Sequence, residues 1–152
     1  MSTINVYLYF KGNCENAFNF YKSIFGGEFQ FIGRYKDISQ EARRNFPYCS
    51  DEHIMHVALP ISKETILMGA DMIDSHNQTT EAKSNFSLYI NTENKNEATR
   101  LFNALSEEGD IIVPIAEQFW GSYYGLCIDI FGISWKISYS QNDDKKTKRN
   151  KT

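Results

Sequence analysis

Apolar and polar residues along this chain alternate in short runs of period two, interrupted by two runs of period 3.6. INVYLYF (4–10) sets Ile4, Val6, Leu8 and Phe10 against Asn5, Tyr7 and Tyr9, which predicts a strand. A helix follows. Asn13 is placed to cap it, Ala17, Phe18, Tyr21, Ile24 and Phe25 form its apolar stripe, and Gly26-Gly27 stops it. EFQFIGRY (28–35), HIMHVALPI (53–61) and TILMGAD (65–71) read as three further strands. The polar connection 36–52 carries Pro47; it has the length of a lid and one expected helical turn at Ser39–Arg44.

After a polar linker at 73–84 the pattern restarts. NFSLYIN (85–91) alternates, Thr92 or Asn94 can cap a second helix, and Asn94-x-x-Glu97 resembles a capping box. The stripe is Ala98, Leu101, Phe102 and Leu105, ended by Gly109. DIIVPIAEQ (110–118) is a strand whose Pro114 marks an edge or a bulge. YYGLCID and GISWKISY close the pattern as a hairpin, with Asp129 and Gly132 at its turn.

The order strand–helix–strand–strand–strand therefore occurs twice. Val6 matches Ser87, Ala17 matches Ala98, Tyr21 matches Phe102 and Ile24 matches Leu105. This internal repeat predicts an α+β fold of two βαβββ modules, about 1–72 and 85–140, within a single domain over 1–142. Each module is expected to lay its helix on one face of a four-stranded sheet. The other face, polar and aromatic, is left to line a hollow.

Composition adds little to fold and more to function class. The 152 residues suffice for one domain with a sizeable core. The tail 143–152 is basic and expected to be disordered; the five Lys and Arg of KKTKRNKT (145–152) leave 11 basic against 19 acidic residues in 1–144. An acidic body argues against nucleic acid as a partner. No apolar run approaches the ~18 residues of a membrane span. Three scattered cysteines without a CxxC pair fit free thiols in a reducing compartment, so the expected location is cytoplasmic. Cys14 and Cys127 are expected to pack; Cys49, in the long connection, is the one thiol expected to be exposed.

YLYFKGNCENAFNFYKSIFG (7–26), MHVALPI with ILMGAD (55–71) and FWGSYYGLCIDIFGISWKI (119–137) together resemble the vicinal oxygen chelate superfamily: glyoxalase, bleomycin-resistance proteins and extradiol dioxygenases. More narrowly they are similar to its PhnB-like branch, which carries the label of a demethylubiquinone methyltransferase. The resemblance implies a glyoxalase-like cup-shaped mixed β-sheet with helices on its outer face, a ligand in the cup and commonly a homodimer. It also implies a divalent metal in the superfamily's enzymes, held by His, Glu or Gln from the first and last strands of the two modules.

The residues here offer that metal little. Taking the more apolar face of each strand to pack under the helices, the open faces hold Tyr7 or Tyr9, Ile66 or Met68, Ser87 or Tyr89, and Ser134, Lys136 or Ser138. Metal-binding relatives close with a motif resembling DPDGNxxE; this chain reads DIFGISWK, with Lys136 where the Glu would stand. An ammonium repels a dication and has no lone pair to give. His53 and His56, three apart in a strand, face opposite ways, and His76 lies in the linker. His56 is a core-edge residue or a cavity residue able to bind substrate or move a proton. Glu117 is a candidate cavity acid, or a surface strand end. Trp120 stacks on a planar ligand or closes the core. Lys136 favours an anionic ligand group or reaches to the rim. Asp71 and Asp129 read as turn residues.

GxSxG, P-loop and HExxH motifs are absent, and no Gly-rich loop follows the first strand to support a methyltransferase cofactor. The expectation is a metal-free small-molecule-binding protein using Tyr7, Tyr9, His56, Met68, Ser87, Trp120 and Lys136. The alternative is a metal-dependent lyase, isomerase or dioxygenase with atypical ligands around His56 and Glu117.

Overall fold

The structure, a computed structural model, describes residues 4–73, 85–118 and 121–140. Trp120, His76 and the basic tail lie outside the described residues, as does nearly all of the linker. The chain divides into two compact units, Met1–Thr80 and Glu81–Thr152.

In the first unit the period-two runs become β1 (Val6–Phe10), β2 (Phe31–Arg34), β3 (Ile54–Pro60) and β4 (Ile66–Asp71), and the 3.6-period run becomes α1 (Cys14–Phe25). The sheet order is β1-β4-β3-β2. β1 and β4 run parallel; the other pairs are antiparallel. Ala17, Phe18, Tyr21 and Ile24 of α1 are buried, as are Leu8, Phe10, Val57, Leu59 and Leu67 of the sheet. Each large apolar side chain so buried contributes roughly 1.5–3 kcal/mol before entropy is charged. The helix sits so close that a Cβ on Gly69 would lie 2.6 Å from the Phe18 ring.

Three details depart from the sequence reading. Asn13 occupies the cap position but its side chain makes no capping bond. The carboxylate of Asp71, at the end of β4, does that work. Its Oδ1 accepts from Gly12 N at 2.8 Å and Cys14 N at 3.0 Å, and its Oδ2 accepts from Ile54 N at 2.9 Å. Asp71 is thus a buried tie between helix, β3 and β4, where a turn residue was expected.

The second departure is in β3. Gly33 pairs with His56 but Arg34 pairs with Ile54, so Met55 is an extra residue. This bulge breaks the alternation, and Ile54 is fully buried although counting by twos places it beside His56.

The third is the connection 36–52, which is fastened to the unit. Its helical turn forms as α2 (Gln40–Arg43), capped by Ser39. The Arg43 guanidinium donates to the carbonyls of Phe46 and Cys49, pairs with Asp51 and lies over the Tyr35 ring. Cys49 is consequently buried rather than exposed, and Tyr35 donates its hydroxyl to the Asp71 carbonyl at 2.6 Å.

The second unit repeats the plan. β5 (Leu88–Asn91), α3 (Lys95–Ser106), β6 (Asp110–Glu117), β7 (Ser122–Ile128) and β8 (Ser134–Ser140) form a sheet of order β5-β8-β7-β6, with β5 and β8 parallel. Ala98, Leu101, Phe102 and Leu105 are buried with Cys127, Trp135 and Ile137. Asn94 Oδ1 accepts from Glu97 N at 2.8 Å, the local cap the sequence predicts. Pro114 lies in the edge strand β6, flanked by register shifts. α3 ends at Ser106, and Glu108 takes a left-handed φ of 59°. Gly109 then passes so near β7 that a Cβ would meet the Ile128 carbonyl.

Asp129 organises the closing hairpin. Its carboxylate accepts from Phe131 N, Ile133 N and the indole Nε1 of buried Trp135. The repeat slips by one residue in the first strand of each unit: Val6 shares the core face with Leu8, whereas its match Ser87 bonds Ser134 on the face away from α3.

Candidate functional site

Packing α1 on one face of the first sheet leaves the other face to the alternate residues. Register places Tyr7 beside Met68, Met68 beside Ala58 and Ala58 beside Phe31; one step along, Tyr9 lies beside Ala70 and His56 beside Gly33. The rings meet across these strands. Tyr7 Oη and His56 Nδ1 are 2.9 Å apart. The Tyr7 and His56 rings stack with centroids 5.6 Å apart, Phe31 reaches His56 at 5.6 Å, and Tyr9 reaches Tyr7 at 5.2 Å.

Rings in mutual contact normally become a core, but here Tyr7 is 37%, Phe31 49% and Tyr9 63% exposed. Burial, and secondarily the neighbouring Tyr9, raises the Tyr7 pKa above the usual phenol value, so its hydroxyl keeps its proton. Small residues make room for the cluster. A Cβ on Gly33 would come within 2.9 Å of the Phe31 ring, so that ring lies directly over the glycine.

The corresponding face of the second sheet has different chemistry. Lys136 is exposed, with Tyr89 and Leu126 as its strand neighbours. Ser87 bonds Ser134 at 2.7 Å and Ser122 bonds Ser138 at 3.0 Å, so a hydroxyl ladder runs beside the lysine.

Of the predicted residues, Tyr7, Tyr9, His56 and Met68 come together on one face, and Ser87 and Lys136 share the other unit's face. Glu117 joins neither group. It pairs in register with Tyr123, whose hydroxyl bonds Thr99 on α3, and its carboxylate forms an ion pair with Lys95 at the start of that helix. Glu117 therefore lies on the helix-bearing side of its sheet. Phe31 was missed by the sequence reading; the alternation of EFQFIGRY held it, but only the register against Ala58 brings it to His56.

The metal implied by the superfamily does not fit these residues. Among the described residues His56 is the one imidazole on the aromatic face, its Nδ1 is engaged by Tyr7, and Lys136 stands on the other open face. Among the described residues no group of three His, Cys, Asp or Glu is placed to hold a metal ion. His53 lies elsewhere, lining a cavity of about 320 Å³ with Glu15, Arg34, Glu52 and Asp71. Its Nδ1 accepts from Ser50 N, and Arg34 already pairs with Glu15 and Glu52. The cysteines are no better placed for chemistry. Burial, then Asp71, raises the Cys14 thiol well above its ordinary range; burial, then Asp129, pushes Cys127 up to about 11. Among the described residues no helix is long and apolar enough to cross a membrane.

Comparison with known proteins agrees with the repeat. The family profile described as 3-demethylubiquinone-9 3-methyltransferase matches residues 2–138. Protein YjdN of Escherichia coli is 28% identical over 89% of this chain and 93% of its own length. Protein PA1353 from Pseudomonas aeruginosa is 30% identical with a TM-score of 0.75, over 91% of this chain and 98% of that one. A Bacillus cereus PhnB protein, described as a putative 3-demethylubiquinone-9 3-methyltransferase, is 26% identical with a TM-score of 0.74, over 91% of this chain and all of that one. The fold alone extends further, at 10% identity and a TM-score of 0.61, to a glyoxylase/bleomycin resistance protein/dioxygenase domain from Frankia, with 93% of each chain covered. The chain therefore belongs to the PhnB-like family, described by its profile as 3-demethylubiquinone-9 3-methyltransferase, within the glyoxalase/bleomycin resistance/dioxygenase fold.

Proposed function

We propose that this protein binds a small planar molecule, without a metal, on the aromatic face of its first module. The observation that carries this reading is the exposed ring cluster of Tyr7, Tyr9, Phe31 and His56 on the sheet face that α1 leaves free. Grouped aromatic surface of this kind, with a few polar atoms directed into it, is what small-molecule sites are made of. The adjoining Met68 adds an adaptable apolar contact. Lys136 and the serines of the second module give that unit's open face an affinity for anionic or hydroxylated groups. The reading includes a homodimer and assigns no reaction, methyl transfer included.

The test is NMR-detected titration of chelator-treated protein with a library of small aromatic compounds, with sedimentation velocity run on the same samples. Binders should shift the Tyr7, Tyr9, His56 and Met68 side-chain signals, equally with and without added zinc, nickel, manganese or iron. Binding that requires a stoichiometric metal, or that maps away from this face, would overturn the proposal.

A further inference from the structure

The Tyr7–His56 contact has a direction. A phenol is a stronger hydrogen-bond donor than a neutral imidazole N–H, and an imidazole nitrogen is a stronger acceptor than a phenol oxygen. Tyr7 also retains its proton, since its surroundings disfavour the phenolate. The two atoms are 2.9 Å apart, and these preferences favour Tyr7 O–H as the donor and His56 Nδ1 as the acceptor. An imidazole that accepts at Nδ1 carries its proton at Nε2. His56 has Tyr7 on its Nδ1 and rings on either side, from Tyr7 and Phe31, and Nε2 has no hydrogen-bond partner among the described residues.

We propose that Tyr7 fixes His56 as a directed Nε2–H donor set within an aromatic face, so that the preferred ligand class is a planar ring bearing an oxygen acceptor such as a carboxylate or carbonyl. This rests on the ligand reading above and specifies it: the rings contribute area, and the single oriented donor contributes selectivity. A ring bearing an ammonium group presents a donor to a donor and binds more weakly. Tyr7 acts here as a positioning residue, and His56 as the residue that touches the ligand.

Two measurements test it on the full chain. Long-range proton–nitrogen correlation spectra report the tautomer directly. His56 should show a protonated Nε2 and a bare Nδ1, and Tyr7→Phe should convert this to a mixture. Titration with 2-naphthoate and 2-naphthylmethylammonium, which share one ring system, reports selectivity. Naphthoate should bind tighter by about tenfold, the worth of one hydrogen bond to a charged group. His56→Phe and Tyr7→Phe should each shrink that ratio while retaining ring binding; Lys136→Gln separates general attraction of anions from the directed donor.

A protonated Nδ1 in the native protein overturns the inference, as does a preference that survives His56→Phe and disappears in Lys136→Gln. Either leaves the ligand face itself standing. If neither naphthyl probe moves the Tyr7, Tyr9 and His56 signals, the binding reading fails, and the ligand class with it.

Discussion

The two modules share one strand order but start their helices by different means. In the second, Asn94 caps α3 from three residues away, a bond made wholly within one turn of chain. In the first, the residue at the equivalent place caps nothing, and Asp71 reaches α1 from the far end of the module while also holding β3. One helix is completed by its own sequence and the other by the folded sheet. The open faces differ in the same spirit. The first is an aromatic cluster with one imidazole, and the second a row of serines beside a lysine. A repeated topology therefore carries two chemistries and two distributions of stability.

Three substitutions probe that contrast. Asp71→Ala leaves the N–H groups of Gly12, Cys14 and Ile54 without their acceptor in a buried site. It should cost on the order of 3 kcal/mol or more in urea unfolding, with amide exchange accelerating in α1 and β3 and not in α3. A loss below about 1 kcal/mol would show that the tie is dispensable and the modules alike. Asn94→Ala removes one exposed local cap and should cost about 1 kcal/mol, with faster exchange confined to the first turn of α3. Smallest is Glu117→Gln. Its ion pair with Lys95 is half exposed, so stability should change by no more than about 0.5 kcal/mol, and naphthoate affinity should not change at all. A large loss of affinity would return Glu117 to the binding site.

Both helices were legible in the sequence because a 3.6-residue stripe is a local signal, and every predicted buried position except half-buried Phe25 sits in a core. Strand faces were legible as long as counting by twos held. It held for Tyr7, Tyr9 and Met68, which is why those residues could be grouped before any contact was known. It failed at Met55, where one extra residue turned Ile54 into the core, and no composition cue marks that bulge. Asp71 was beyond reach for another reason. Its partners lie 17, 57 and 59 residues away, so its role is a property of the tertiary fold and not of the segment around it. Phe31 belongs to the same class, since its meeting with His56 depends on strand register. Chemistry local in the chain can be read from the chain, and chemistry assembled by pairing cannot.

The span of the Asp71 tie also bears on the order in which the chain acquires structure. Closing a loop of nearly sixty residues costs about 2–3 kcal/mol more than closing one of three. α3 can settle as soon as its own first turn exists. α1 has the better-buried cap and the longer wait: although it precedes β4 in the chain, its first turn is complete only once β4 has been made and its end brought back to Gly12 and Cys14.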